Sequence, residues 1–197
     1  MTGIIPAPDR LVVASANPHK IAEVERIWLE IGVGGEIIRG LSWEEVEETG
    51  ETLEENALLK ALAVVAATGL SALADDTGLE VSALGGAPGV RSARYAGEHA
   101  SYQDNTDRLL EEMDGRQDRS ARFRTVAALA WPGGRRVVAE GVLEGRITWT
   151  PRGTAGFGYD PVFAVGDRTL AEMTAAEKNS ISHRARALRA LAALLGG

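Results

Sequence analysis

Asp75-Asp76-Thr77-Gly78 places two adjacent carboxylates just after an apolar run, Leu70 to Ala74, and just before Leu79-Glu80-Val81. The pattern predicts a buried strand ending at the acidic pair, a Thr-Gly turn, and a return strand. A buried carboxylate is costly unless it is paired, hydrogen-bonded or bound to a metal. Neighbouring side chains on a strand point to opposite faces. One Asp can therefore hold a metal or activate water while the other anchors the chain. A turn carrying Asx-type hydrogen bonds is the plainer reading of the same residues.

Other stretches bear on the same chemistry. Ser15-Ala16-Asn17-Pro18-His19-Lys20 reads as a strand-to-helix turn, with Asn17 as cap and Pro18 in the first helical position. A helix start offers free amide donors to an anion, and Lys20 adds charge there. Glu44, Glu45, Glu47, Glu48, Glu51, Glu54 and Glu55 form an acidic run. Most are expected on a solvated face, but one can join Asp76 at a Mg²⁺ ion, which needs only one or two carboxylates beside substrate phosphates. Asn56 and Lys60 are four apart on one helical face and can support such a site. Gly156-Phe157-Gly158-Tyr159-Asp160-Pro161 offers two rings and a carboxylate, either as a stacking platform for a base or as a core aromatic in a tight turn. Lys178 and Ser182-His183-Arg184 put cationic donors at the start of the last helix, where they suit an acceptor such as phosphate or a purine 6-oxo group.

The elements that must position these residues follow from periodicity. Leu11 to Ala14 reads as a buried strand. Ile21, Val24, Ile27, Trp28 and Ile31 recur at helical spacing, and Gly32 stops the run. Glu36 to Arg39 reads as a short strand. Thr52-Leu53-Glu54-Glu55 matches a capping box. The helix it opens runs to about Ala67, is apolar almost all round and is expected to be buried. Gly85 to Gly89 is turn-rich, and Tyr102 to Met113 reads as a helix. Phe123 to Trp131 and Arg136 to Thr148 read as long strands joined through Pro132-Gly133-Gly134. Pro151 to Pro161 is a glycine-rich loop, and His183 to Leu195 is a helix with Ser182 as cap. Strands alternating with helices around a long hairpin predict an α/β fold with a mixed β-sheet.

Composition narrows the function classes. The 197 residues fit one domain, and 45% hydrophobic content supports a sizeable core. The net charge of -7 disfavours nucleic acid, which needs a basic face. There is no cysteine, which excludes disulfides and thiolate chemistry. No apolar run reaches membrane-span length, and Met1 to Arg10 lacks the apolar core of a signal peptide, so a cytoplasmic location is expected. Residues 1–9 read as a flexible tail. Of the 21 basic residues only Lys20, Lys60 and Lys178 are lysines, and each lies in one of the stretches above. An ammonium is a compact point charge suited to phosphate oxygens.

Taken in order, these stretches, with Glu47-Glu48-Thr49-Gly50, Glu55-Asn56-Ala57 and Leu84-Gly85-Gly86-Ala87-Pro88-Gly89, resemble the Ham1/RdgB family of non-standard purine nucleoside triphosphate pyrophosphatases. The resemblance spans about Val12 to Leu195. Ser15-Ala16 stands where Thr-Gly is common in that family, and Thr77 where Ser is common; both keep the hydroxyl. The resemblance implies an elongated mixed α/β fold flanked by helices, two lobes with an active-site cleft between them, and a homodimer. It implies Mg²⁺-dependent hydrolysis of ITP, dITP or XTP to the monophosphate and pyrophosphate. Asp76 would be the catalytic carboxylate, with Glu47 and Asp76 holding Mg²⁺ and Asp75 positioning its neighbour. Ser15, Ala16, Asn17, Pro18, His19, Lys20, Thr77 and Lys178 would bind the triphosphate and sugar. Phe157, Gly158, Tyr159, Asp160, His183 and Arg184 would bind the base, and Asn56 and Lys60 would support the acidic site. The competing readings are a pyrophosphatase for pyrimidine or modified nucleotides such as dUTP, and a nucleotide-binding sensor without catalysis.

Overall fold

A computed structural model describes residues 5–44 and 46–196. It has a mixed sheet whose strands run in the order β2 (Glu36–Ile37), β1 (Arg10–Val13), β3 (Ser71–Val81), β5 (Ser120–Ala130), β6 (Arg136–Ile147), β7 (Phe163–Val165) and β8 (Arg168–Thr169). A further short strand, β4 (Pro88–Gly89), pairs with β3. β1 pairs in parallel with both β2 and β3, whereas β3–β4, β6–β7 and β7–β8 are antiparallel. The helices are α1 (Pro18–Ile31), α2 (Leu53–Thr68), α3 (Tyr102–Glu112), α4 (Ala175–Ile181) and α5 (His183–Leu194). Among the described residues no helix is long and apolar enough to cross a membrane.

The chain divides into two compact units, each with its own core. The first comprises the described residues up to Asp76, then Thr125–Gly141 and the stretch from Arg184. Its core joins Leu11, Val13, Leu73 and Leu129 of the strands to Val24, Ile27 and Trp28 of α1 and Leu188 and Leu191 of α5. The second comprises Thr77–Arg124 and Val142–His183, with a core that includes Leu79, Val81, Leu109, Met113, Phe123, Phe163 and Leu170. Each large apolar side chain buried in these clusters contributes roughly 1.5–3 kcal/mol of transfer free energy.

Several elements form for the reasons read from the sequence. Asn17 caps α1 by accepting from the His19 and Lys20 amides, and Gly32 ends it at φ 72°. Thr52 and Glu55 close a reciprocal capping box on α2. The expected N-terminal tail lies partly outside the described residues; within them Ile5 bridges to Leu195, and Ile5 and Ala7 pack against the first core.

Two expectations are corrected. The Thr77-Gly78 turn does not exist: β3 is one continuous strand of 11 residues through the acidic pair. A Cβ at Gly78 would lie 2.7 Å from the Gly89 carbonyl oxygen, so glycine there admits the neighbouring strand β4 and makes no turn. Helix α2 is also less buried than its composition implies: Leu53, Asn56, Ala57, Ala61 and Val64 face inward, while Leu59, Ala66 and Ala67 are exposed.

Candidate active site

In the first unit, β3 carries Asp75 and Asp76 in its buried middle, and the two carboxylates have different partners. Lys60 extends from α2 so that its Nζ donates to Asp76 Oδ1 and to Glu48 Oε1, both at 2.7 Å. Asn56, one turn earlier and fully buried, accepts from the Gly50 amide at 2.8 Å and donates to the Gly50 carbonyl at 3.4 Å. That clamp fixes the acidic segment against the helix that carries Lys60. A Cβ at Gly50 would fall 2.6 Å from Asn56 Oδ1, so the clamp requires glycine.

Asp75 is held by other groups. Arg184, at the start of α5, donates to Asp75 Oδ2 from Nε at 3.2 Å and from Nη2 at 3.0 Å, and its Nη1 donates to Glu23 of α1. Lys20 Nζ stands 3.6 Å from the same Asp75 oxygen. The strand's alternation thus separates the pair, Asp75 toward α1 and α5 and Asp76 toward α2.

The electrostatics separate them too. Burial alone would raise the Asp75 carboxyl, but Arg184, Lys20 and Lys60 hold it far below the ordinary carboxylate range. For Asp76 burial prevails over Lys60 and Lys20, with Glu48 reinforcing it, and the carboxyl sits above its ordinary value. Burial pushes the Lys60 ammonium down, and Asp76, Glu48 and Asp75 more than offset that, so it stays charged.

At the entry to α1 the Ser15 hydroxyl accepts from the Asn17 amide at 3.1 Å, while Ala16, Pro18 and His19 are exposed and Lys20 is half-buried. Ser15, Ala16 and Pro18 line one wall of a groove of about 580 Å³; Ile38 and Arg39-Gly40-Leu41-Ser42-Trp43 line the other.

The second unit gathers the aromatic loop. Asp160 Oδ2 accepts from the Phe157 amide at 2.9 Å and from Lys178 Nζ at 2.7 Å. The same ammonium lies 4.7 Å above the Phe157 ring, which is half-buried and 6.0 Å from the Tyr102 ring. A Cβ at Gly156 would overlap the Asp160 carboxylate. Gly158 turns the loop at φ 62°. Tyr159 follows the core reading: its ring is buried and its hydroxyl donates to the Ser92 carbonyl at 2.9 Å. Of the two rings of the loop, Phe157 is the less buried. His183 is buried and stacks on Phe123 at 4.6 Å, and Thr77 is half-buried on β3.

The sequence reading did not single out Glu48 or Glu23, and it misassigned the helix of Lys178. Glu48, and not its exposed neighbour Glu47, shares Lys60 with Asp76. Glu45, of the same run, lies outside the described residues. Lys178 does not open the last helix but rides on a separate short one, α4, whose Thr174–Glu177 capping box was available as a signal. Glu23 carried no signal, because its partner Arg184 is distant in sequence.

An α/β protein with a strand-borne carboxylate set against an ammonium, beside a helix start, has the kind of parts that anionic ligands use. The chain belongs to the Ham1 family, whose model matches residues 11–194. It is 47% identical over 190 residues to a dITP/XTP pyrophosphatase of Bacillus licheniformis, covering 94% of this chain and 97% of that one. It is 51% identical over 184 residues to a protein of the same name from Symbiobacterium thermophilum, covering 91% of each. The solved Ham1 protein of Staphylococcus aureus superposes with a TM-score of 0.82 at 41% identity, over 94% of this chain and 97% of that one.

Proposed function

We propose that this protein hydrolyses non-standard purine nucleoside triphosphates, ITP, dITP and XTP, to the nucleoside monophosphate and pyrophosphate. The observation that carries the reading is the Asp76–Lys60–Glu48 cluster, and the names of relatives at 47% and 51% identity support it. Water attacks the α-phosphorus, the bond to the bridging oxygen breaks, and pyrophosphate leaves. Asp76 orients that water or accepts its proton, and a carboxyl held above its ordinary value suits an acceptor. Lys20, Lys60 and Lys178 offset charge on the polyphosphate, with Ser15, Ala16, Asn17, Pro18, His19 and Thr77 beside it. Phe157, Gly158, Asp160, His183 and Arg184 serve the base, with Tyr159 holding their loop from the core. Donors aimed at a 6-oxo group favour hypoxanthine and xanthine over adenine, whose amino group would leave them unpaired. A dimer of identical chains, implied by the resemblance, would be read by sedimentation.

The donor set fits Mg²⁺. Among the described residues no group of three or more His, Cys, Asp or Glu side chains assembles, and Mg²⁺ needs only one or two carboxylates completed by phosphates and water. Asp76 would be one of them. Glu47, expected from the family pattern, or Glu48, which already converges with Asp76 on one ammonium, would be the other. The ion supplies charge neutralisation on the polyphosphate oxygens.

Pyrophosphate release from dITP and XTP with Mg²⁺, in wild type and Asp76→Asn, tests the reading. The variant should lose roughly 10²–10⁴-fold in kcat. Full turnover by Asp76→Asn would remove Asp76 from catalysis. A clear preference for dUTP would overturn the purine assignment, and nucleotide binding without release would favour a sensor.

A further inference from the structure

Three arginines and a tryptophan of the second unit, Arg119, Arg146, Arg152 and Trp149, line a cleft of about 280 Å³ together with Thr148 and Thr150. Arg119 is 9% exposed, and its Nε, Nη1 and Nη2 donate to the carbonyls of Ile147, Met113 and Thr148 at 3.0, 2.9 and 2.6 Å. Those carbonyls explain its place but bring no full negative charge. Among the described residues no carboxylate comes within ion-pair distance of it. Burial holds the guanidinium below the ordinary arginine value, and Asp114 only partly offsets that. A buried charge without a counter-charge is costly. The guanidinium carbon lies 4.2 Å from the centroid of the Trp149 ring, a cation–π contact, yet Trp149 is still 59% exposed. Arg146 and Arg152 reach Asp167 and Glu172 only at 3.6 Å, beyond hydrogen-bond distance. Glu172 is already committed to the Thr169 amide at 2.7 Å. Three cations thus line one cleft with two loosely placed carboxylates at its edge.

We propose that this cleft binds a small ligand that joins a planar ring to a phosphate, of the nucleoside monophosphate class, with the ring against Trp149 and the phosphate on Arg146 and Arg152. Every base has a face that stacks on an aromatic ring, so the site selects the class and not one base. Guanidinium groups present paired donors that match phosphate oxygens. A phosphate carries more charge than either edge carboxylate and can meet both arginines at hydrogen-bond distance, which Asp167 and Glu172 do not. Arg119 keeps its three carbonyls, holds the Trp149 ring from one side and adds positive potential behind it. A space of about 280 Å³ is at the small end of ligand sites, which suits a mononucleotide and excludes a dinucleotide. None of the lining residues is assigned to triphosphate turnover, so the proposal does not rest on that reading.

Isothermal titration of the full chain with AMP, adenosine and inorganic phosphate tests the site. AMP is the probe because its 6-amino group does not suit donors that favour a 6-oxo base, which keeps it from the proposed turnover site. AMP should bind with a Kd below about 1 mM, and more than about fivefold tighter than adenosine or phosphate. Trp149→Ala and Arg146→Ser should each weaken AMP by about five- to fiftyfold. Both side chains are more than half exposed, so both variants should keep the wild-type Tm and the wild-type KM for dITP. Arg135→Ser, at an exposed arginine of the first unit, is the control and should bind AMP as wild type does. The proposal is overturned if wild type shows no saturable AMP binding below about 1 mM, or if phosphate alone binds as tightly as AMP. It is overturned equally if either variant weakens AMP by less than about threefold, or shifts the KM for dITP by more than about threefold, which would make the cleft part of the turnover site. If Trp149→Ala lowers Tm by more than about 5 °C, Arg146→Ser decides alone.

Discussion

Replacing Lys60 by methionine would expose how the site balances its charges. The side chain keeps an unbranched apolar stem but loses the ammonium that lies 2.7 Å from both Asp76 and Glu48. At an effective dielectric near 20, each contact carries an attraction of about 6 kcal/mol before desolvation. Much of that is offset by the cost of drying an ammonium whose side chain is only 13% exposed. Removing one member of a buried pair costs about 3–5 kcal/mol, and Glu48, at 26% exposure, can recover some solvation. The net expectation is a loss of about 3 kcal/mol. For a chain of this size that lowers Tm by roughly 6–12 °C. The loss comes from two carboxylates left facing one another, so adding Glu48→Gln to Lys60→Met should restore about 1–2 kcal/mol, although Glu48→Gln in wild type destabilises. Thermal melts of the four proteins without added metal give the cycle. A Tm for Lys60→Met within about 2 °C of wild type, or a double variant no more stable than Lys60→Met, would refute this account of the cluster.

Two further outcomes follow from the geometry. A carboxyl-carbon NMR titration of the metal-free protein should place Asp76 above the ordinary aspartate value of about 3.9 and Asp75 well below it. Because its folded value is depressed, ionised Asp75 stabilises the fold at neutral pH, and that contribution fades as pH falls from about 4 toward the folded value; an inverted order of the two midpoints would sink the assignment of their partners. Gly156→Ala forces a Cβ into the Asp160 carboxylate at a backbone φ of 78°, so Asp160 must leave Lys178 and the Phe157 amide. It should cut kcat/KM for dITP by more than about tenfold, mainly through KM, and an unchanged KM would remove Asp160 from the binding site.

The parts of this protein that were legible in its sequence are those set by local chemistry. Asn17-Pro18 and Thr52-x-x-Glu55 satisfy backbone donors within a few residues, and both caps are present. Lys20, Lys60 and Lys178, read from the sequence as charges for phosphate, each stand against a carboxylate of the protein: Asp75, Asp76 with Glu48, and Asp160. Thr77-Gly78 misled because glycine has two uses, and composition does not say whether it is there for a positive φ or for a close neighbour; Gly89, which answers that, is distant in the chain. Glu47 and Glu48 differ by one position in a segment without helix or strand, so no periodicity indicates which one turns toward Lys60. The partners of Arg184 are fixed by three-dimensional packing of α1, β3 and α5, and no spacing rule connects residues 23, 75 and 184.

The pairing of every lysine with a protein carboxylate has a consequence for catalysis. A free ammonium would need to be ordered when a polyphosphate arrives, and that ordering would subtract from binding. Here the cations are already held in place by anions of the protein: Lys60 by two carboxylates, Lys178 by Asp160 beneath the Phe157 ring, Lys20 by Asp75 at a looser 3.6 Å. Under the proposed function, phosphate oxygens would meet charges whose directions are set in advance, which is the condition for electrostatic stabilisation without reorganisation. Under that function the same arrangement would let a chain with net charge -7 serve a polyanion. The long-range field is unfavourable and screened within about 8 Å at physiological salt, so under that function affinity would come from these short, preset contacts and not from attraction at a distance.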